Sequence, residues 1–243
     1  MMKKDSNLSP TMDFERPLVT VDVVIFAVQY KVLKVLLVRR PDTSDDPFPG
    51  RWALPGGFVD VDKDASLEDC AIRKLRDKTG IATPYIEQLG SWGDAQRDPR
   101  GWSATHVYFA LVQAQGEPTH TQMRVATPSQ WIEVHEASRK RLAFDHARIL
   151  TAAISRLRSK VEYTSLPAFL VAEPFTLPQL QQAYEVVLGR PIDKSAFRKR
   201  MLDAAFLEEA GFVDGTSRKA AVGYRLKARA HAVTFPRTFK ASE

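Results

Sequence analysis

Three clusters of side chains in this sequence have the types and spacing for chemistry. In the first, Pro55-Gly56-Gly57 permits a tight backbone path, and Lys74 and Lys78 follow four residues apart, which sets two ammonium groups on one face of a helix. In the second, Arg97-Asp98-Pro99-Arg100-Gly101-Trp102 combines guanidinium groups that can pair with phosphate and an indole that can stack on a base. In the third, Lys194, Ser195, Arg198, Lys199 and Arg200 crowd the first half of a predicted helix. Thr216-Ser217-Arg218-Lys219 stands at a hairpin tip beyond it, an arrangement suited to gripping a nucleic-acid backbone. Other chemistry is not signalled. The five histidines are scattered, with no Cys or Asp at ligand spacing, so His106 and His146 are assigned structural roles and no metal site is expected. Cys70 is the single cysteine, which excludes an internal disulfide and a zinc cluster and leaves it as a small core residue. No nucleophile elbow announces a Ser-His-Asp arrangement.

The elements that must position these groups follow from periodicity. Leu18 to Val28 and Lys31 to Val38 read as strands joined by a turn at Gln29 and Tyr30, and Trp52-Ala53-Leu54 as a short strand before the glycines. Leu67, Cys70, Ala71 and Leu75 fall at helical spacing within Ser66 to Lys78, which Thr79-Gly80 terminates. Further strands are predicted around Tyr85 to Trp92 and His106 to Gln113, and a helix from Phe144-Asp145-His146 to about Ser159. After Lys160 the chain changes to short helices punctuated by prolines. Leu177 to Leu188 stops at Gly189, Lys194 to Phe206 starts after the N-cap Asp193, and Phe206 to Val213 with Val222 to Lys227 forms a hairpin. The expected organisation is a flexible N-terminal tail (1–17), a domain over 18–160, a second over 161–229, and a basic C-terminal tail (230–243).

Charge is divided along the same line. Residues 1–150 carry 20 Lys/Arg and 20 Asp/Glu, whereas residues 151–243 carry 15 and 9, so the whole excess of +6 lies in the last third of the chain. That is where a polyanion-binding module belongs; a basic solvated surface is the alternative reading of charge alone. With 44% hydrophobic residues the chain of 243 can build packed cores, and neither a disordered nor a fibrous class is favoured. The absence of a long apolar run and the polar first residues predict a soluble, cytoplasmic protein without a membrane partner.

From Gly57 to Ile81 the chain resembles the Nudix box: Gly, five residues, Glu, seven residues, then Arg-Glu-apolar-any-Glu-Glu-any-Gly-apolar. Here the end reads Arg73-Lys74-Leu75-Arg76-Asp77-Lys78-Thr79-Gly80-Ile81, after a family-like Trp52-Ala53-Leu54-Pro55-Gly56-Gly57-Phe58-Val59. The resemblance implies an α+β fold, a mixed-sheet α/β/α sandwich with a nucleotide cleft. In family members the glutamates of this helix hold magnesium, which activates water and neutralises diphosphate. Lys74 and Lys78 stand where two of those acids would be. At about 4 Å and an effective dielectric near 20, each unit charge pair is worth about 4 kcal/mol, so reversing both signs turns attraction for the metal into repulsion. Fifteen residues separate Gly57 from Arg73 where the pattern has thirteen, with Asp62 or Asp64 near the place of the first glutamate. The expectation is a protein without appreciable magnesium-dependent hydrolysis and with no catalytic residues. Lys74 and Lys78 either meet a diphosphate directly or, with Arg76, face water.

The loop Arg97 to Trp102 resembles the substrate loop of Nudix proteins acting on ADP-ribose, its alternative being a solvent-exposed turn. Arg39 and Arg40 end an inner strand that faces the cleft in such folds, although one of two adjacent strand residues points away. The expected ligand set is therefore Arg39, Arg40, Gly56, Gly57, Lys74, Lys78, Asp98, Arg100 and Trp102.

The two parts together resemble the Nudix-related transcriptional regulators of NAD metabolism, the NrtR family. Arg100-Gly101-Trp102-Ser103, Ala143-Phe144-Asp145-His146, Glu173-Pro174-Phe175-Thr176-Leu177-Pro178 and Ser195-Ala196-Phe197-Arg198-Lys199-Arg200 carry that resemblance. It implies a homodimer that represses genes of NAD synthesis or salvage. The repressor would bind an inverted-repeat operator on double-stranded DNA through a winged helix and leave it when ADP-ribose or a related nucleotide binds, with no cofactor. Lys194, Ser195, Arg198, Lys199, Arg200, Arg218 and Lys219 are the expected DNA contacts. Two rivals remain at this stage, an active Nudix hydrolase with an accessory domain and a protein-interaction module.

Overall fold

The computed structural model describes residues 16–80, 85–113, 128–213, 220–227 and 231–239, with only the backbone of 78 and 79. The first strand, β1 (Leu18–Gln29), is buried on both faces from Val21 to Ala27, which fixes it at the centre of the sheet. It turns at Tyr30 and Lys31, both in the left-handed region at φ 52° and 63°, and pairs antiparallel with β2 (Val32–Arg39). Such a two-residue turn matches the twist of the hairpin, and it falls one residue later than the predicted turn at Gln29 and Tyr30, so β1 gains Gln29 and β2 begins at Val32. Short strands β3 (Trp52–Ala53) and β4 (Gly56–Phe58) add to β2 and β1, and helix α1 (Leu67–Thr79) follows.

Strands β5 (Tyr85–Asp94) and β6 (Ser103–Leu111) are antiparallel to each other, and β6 runs parallel to β1, so the sheet is mixed. Strand β7 (Ser129–Glu133) completes the sheet against β2 and leads into the short helix α2 (Val134–Ala137).

Alternation along β1 assigns the layers. Val21, Val23, Ile25 and Ala27 pack with Cys70, Ala71 and Leu75 of α1 on one face of the sheet. Val24 and Phe26 meet Ile149, Leu150, Ala153 and Leu157 of α3 (His146–Val161) on the other. This is the expected α/β/α sandwich. Ser66 caps α1 by accepting the Asp69 N–H at 3.1 Å, and Gly80 closes it at φ 66° by donating to the Arg76 carbonyl.

After a 3-10 turn at Leu166–Leu170 come α4 (Leu177–Leu188) and α5 (Lys194–Asp203), then the hairpin β8 (Leu207–Val213) and β9 (Ala221–Leu226). Helix α4 matches the predicted limits because both ends are written in the chain: a Thr176/Gln179 capping box and Gly189 at φ 72°. Helix α5 is shorter than predicted. It stops at Asp203 because Ala205 takes φ 52° and turns Phe206 into the core, a tertiary demand that helical periodicity does not reveal. The apolar cluster under α3 continues through Phe169, Leu180, Tyr184, Phe197 and Met201, so one core spans both parts of the molecule.

Residues 1–15 of the expected N-terminal tail lie outside the described residues. The segment read as a basic C-terminal tail is packed over its described residues. Phe235 and Phe239 are buried, and the Phe235 and Phe239 N–H groups donate to the carbonyls of Tyr163 (2.7 Å) and Glu162 (3.2 Å). Two aromatics spaced four apart supply the apolar surface that charge counting overlooked. Among the described residues no helix is long and apolar enough to cross a membrane.

Candidate functional site

A cavity of about 230 Å³ opens where β1, β4 and the end of β2 face the loop before β6 and the N-terminus of α3. Its floor is a buried polar network. Asp22 is 5% exposed within the apolar run Val21 to Val28 and accepts the Thr105 hydroxyl at 2.8 Å. His146 Nδ1 accepts the Leu54 N–H at 2.9 Å, which leaves Nε2 as the protonated nitrogen, 3.6 Å from Asp22 Oδ2. Arg97, also buried, donates to both Asp145 oxygens at 3.0 and 3.3 Å and to Ser103 Oγ at 3.2 Å, and its Nη2 lies 3.8 Å from Asp22. Burial alone would push the Asp22 carboxyl up; the His146 ring, the Thr105 hydroxyl and the Arg97 guanidinium outweigh it and hold the group below the usual carboxylate range.

Arginines form the rim. Arg40 makes a two-point pair with Asp46 at 2.7 and 2.8 Å and lies 4.8 Å over the Phe144 ring. Arg100 does the same with Asp98 at 3.0 and 2.7 Å and lies 5.2 Å over Phe58. For both acids, burial is outweighed by the paired arginine, so Asp46 and Asp98 are held below their ordinary values, and Asp98 in turn raises Arg100. Arg39 donates to the Gly50 carbonyl at 3.1 Å and is otherwise exposed. Guanidinium groups fixed by carboxylates and aromatic faces are pre-set to meet a second, multivalent anion.

Of the expected ligand set, Arg39, Arg40, Gly56, Gly57, Asp98 and Arg100 all line this cavity. Both members of the arginine pair do so, because the strand ends at Arg39 and Arg40 is released from alternation. Gly56 is required by space: a Cβ there would lie 2.7 Å from the Val21 carbonyl and collide with the Asp22 carboxylate. Lys74 is not in the lining, but its Nζ reaches over Gly57, 2.9 Å from where a Cβ would sit. The Lys78 side chain lies outside the described residues.

Trp102, also in the expected ligand set, is placed elsewhere. It lies in the bend before β6, is half exposed, packs beside Gly93 and is not among the residues that line the cavity. Asp22, Arg97, Thr105 and His146 were absent from the expected set. An acid embedded in an apolar strand was the available signal for Asp22; the others reach the floor only through folding. His146 does serve the framework through Leu54, and it lines the cavity as well.

The second candidate surface is α5. Asp193 caps it by accepting the Ala196 N–H at 2.7 Å, and Phe197 and Met201 bury one side. Lys194, Ser195, Arg198 and Lys199 are exposed. Arg200, expected among the DNA contacts, is turned inward instead. Its guanidinium lies 3.9 Å over Phe239 and 5.8 Å over Phe235 and donates to the Thr238 carbonyl at 2.9 Å. The reason is its place on the flank of α5, where the packed C-terminal segment passes. Arg218 and Lys219 lie outside the described residues.

A Nudix-type sandwich with an arginine-rimmed cavity, fused to two helices and a two-stranded wing, defines a class: a nucleotide-fold domain joined to a winged helix-turn-helix. The NUDIX domain model matches residues 16–153, and that of the NrtR DNA-binding winged helix domain matches residues 167–226. The chain is 43% identical to the ADPR responsive transcriptional repressor NtrR of Acinetobacter baylyi, over 93% of this chain and 88% of that protein. The chain belongs to the NrtR family. The structure of Shewanella oneidensis NrtR with a 27-mer DNA superimposes with a TM-score of 0.81 at 39% identity, covering 91% of this chain and 99% of that one. The NUDIX domain of the same protein complexed with ADP ribose matches with a TM-score of 0.54 at 42% identity, over 62% of this chain and 94% of that one.

Proposed function

We propose that this protein is a DNA-binding transcriptional repressor of NAD biosynthesis or salvage genes, released from its operator when ADP-ribose or a related nucleotide occupies the arginine-rimmed cavity. The observation that carries this reading is the similarity to an ADPR responsive repressor, which runs through both domains. The geometry supports it in two places. Arg39, Arg40 and Arg100 offer the cavity three cations suited to a diphosphate. Lys194, Ser195, Arg198 and Lys199 offer α5 to the major groove. The protein acts in the cytoplasm as a homodimer whose paired winged helices read an inverted repeat.

The cavity binds without cleaving. Magnesium does not suit the residues present. Lys74 brings an ammonium over Gly57, and Asp64, near the place of the family's first glutamate, is taken by Arg73 at 2.6 and 2.5 Å, which lowers the Asp64 carboxyl and raises Arg73.

Release requires that the nucleotide bind the released conformation more tightly. A material connection exists: Asp145 and His146, tied to Arg97 and Asp22 on the cavity floor, begin α3, and Arg158 near its far end donates to the Val187 carbonyl of α4 at 3.2 Å. The test is a fluorescence-anisotropy titration on a duplex selected by the protein from a random pool, with ADP-ribose, NAD or ADP added, and product analysis with magnesium in parallel. The expected result is loss of DNA affinity with ADP-ribose and intact nucleotide. Unchanged affinity with each nucleotide would remove the effector reading, and magnesium-dependent turnover would restore the hydrolase.

A further inference from the structure

The segment that follows the wing returns to the recognition helix. Val233 exchanges hydrogen bonds with Ser165, its carbonyl accepting the Ser165 N–H at 2.9 Å and its N–H donating to Ser165 Oγ at 2.8 Å. Thr234 bridges to Thr164, and Phe235 and Phe239 sink into the core beside Tyr184, Phe197 and Arg200. Arg190, in the turn between α4 and α5, clamps the end of the segment by donating to the Phe239 carbonyl at 3.2 Å and to Glu162 at 2.9 Å.

Between these two buried aromatics the chain must bulge outward, and the residues so raised are Pro236, Arg237 and Thr238, all exposed. Together with Ala196, Lys199 and Asp203 of α5, Pro236 and Arg237 bound an open groove of about 420 Å³, lined by three cations, Lys199, Arg200 and Arg237, against one acid, Asp203. Arg200 is spent on the aromatic faces and has one guanidinium nitrogen, Nη1, buried without an acceptor. Arg237 and Lys199 are the cations left at the mouth. Lys199 belongs at once to this groove and to the exposed basic face of α5.

We infer that residues 233–239 form a strap that widens the DNA-binding surface, with Arg237 and Lys199 holding a backbone phosphate at the flank of the recognition helix. This rests on the DNA-binding reading above and adds an element to it. Backbone contacts position a protein without reading sequence, and each one releases counterions, so its signature is in the salt dependence of binding.

The experiment measures anisotropy of the full-length protein with random-sequence duplexes of about 30 base pairs over a salt series. The variants are Arg237→Ala, Arg237→Lys and, as the helix control, Arg198→Ala. For Arg237→Ala the slope of log affinity against log salt should fall by about 0.9, equally on two unrelated duplexes, and Arg237→Lys should restore it. If Arg237→Ala matches wild type in affinity and slope while Arg198→Ala binds more weakly, the strap is refuted and the helix reading stands. If the wild-type protein binds no duplex, both fall.

Discussion

Arg97 is the residue on which the cavity floor depends, and Arg97→Met tests that. Methionine keeps much of the apolar stem and removes the charge. The variant loses two charge-assisted hydrogen bonds to Asp145, one bond to Ser103 and the attraction to Asp22 at 3.8 Å, and leaves Asp22 buried with one cation fewer. Removing one partner of a buried ion pair costs about 3–5 kcal/mol, because the remaining charge is stranded. For a chain of this size each kcal/mol lowers Tm by about 2–4 °C, so the expected drop is about 6–20 °C at neutral pH.

The effect must also depend on pH. The Asp22 carboxyl is depressed in the folded protein, so its stabilisation is present above the unfolded value of about 3.9 and disappears as pH falls through the folded one. Without Arg97 the Asp22 carboxyl rises, its proton comes on at higher pH, and a neutral carboxyl no longer needs the cation. The gap between variant and wild type therefore narrows on acidification toward about pH 4. Calorimetric scans across that range decide the matter. A Tm for Arg97→Met within about 1 °C of wild type at neutral pH, or a gap that widens in acid, would refute the reasoning.

Four other outcomes follow from particular contacts. Arg200→Ala should destabilise the fold by about 2 kcal/mol through loss of its aromatic stacking while leaving the salt slope of DNA binding unchanged, measured by denaturant titration and anisotropy. Gly56→Ala should cost about 3 kcal/mol and abolish nucleotide binding in calorimetry, since the new methyl would displace the buried Asp22 carboxylate and press on the Val21 backbone carbonyl, which cannot yield. Thr176→Ala, which removes half of the capping box on α4, should lower stability by about 1 kcal/mol in urea. The Cys70 thiol, pushed up to about 11 by burial and by Asp64, should resist a disulfide reagent at about pH 8 until the protein is unfolded.

Much of this molecule was legible because its signals are local. Ser66, Thr176 and Asp193 cap helices through side chains three residues from the N–H they satisfy, and Gly80 and Gly189 end helices by taking a conformation that costs them little. The apolar period of β1 and α1 gave the layers, and the charge count located the basic module. The cavity was half legible: its rim arginines, its glycines and Asp98 stood in the sequence as motifs.

What tertiary structure alone decided involves partners far apart in the chain. Asp22 meets Thr105 and Arg97, Arg97 meets Asp145, and His146 meets Leu54, so no window of the sequence contains the floor of the cavity. The inward placement of Arg200 and the outward placement of Trp102 were hidden from the sequence for the same reason. A side chain's type states what it can bind, but which face it presents is set by whatever packs beside it, here Phe239 for the arginine and Gly93 for the indole. The sequence by itself determined the elements and the kinds of chemistry available; long-range packing decided which residues perform it, because burial and pairing are properties of neighbours in space.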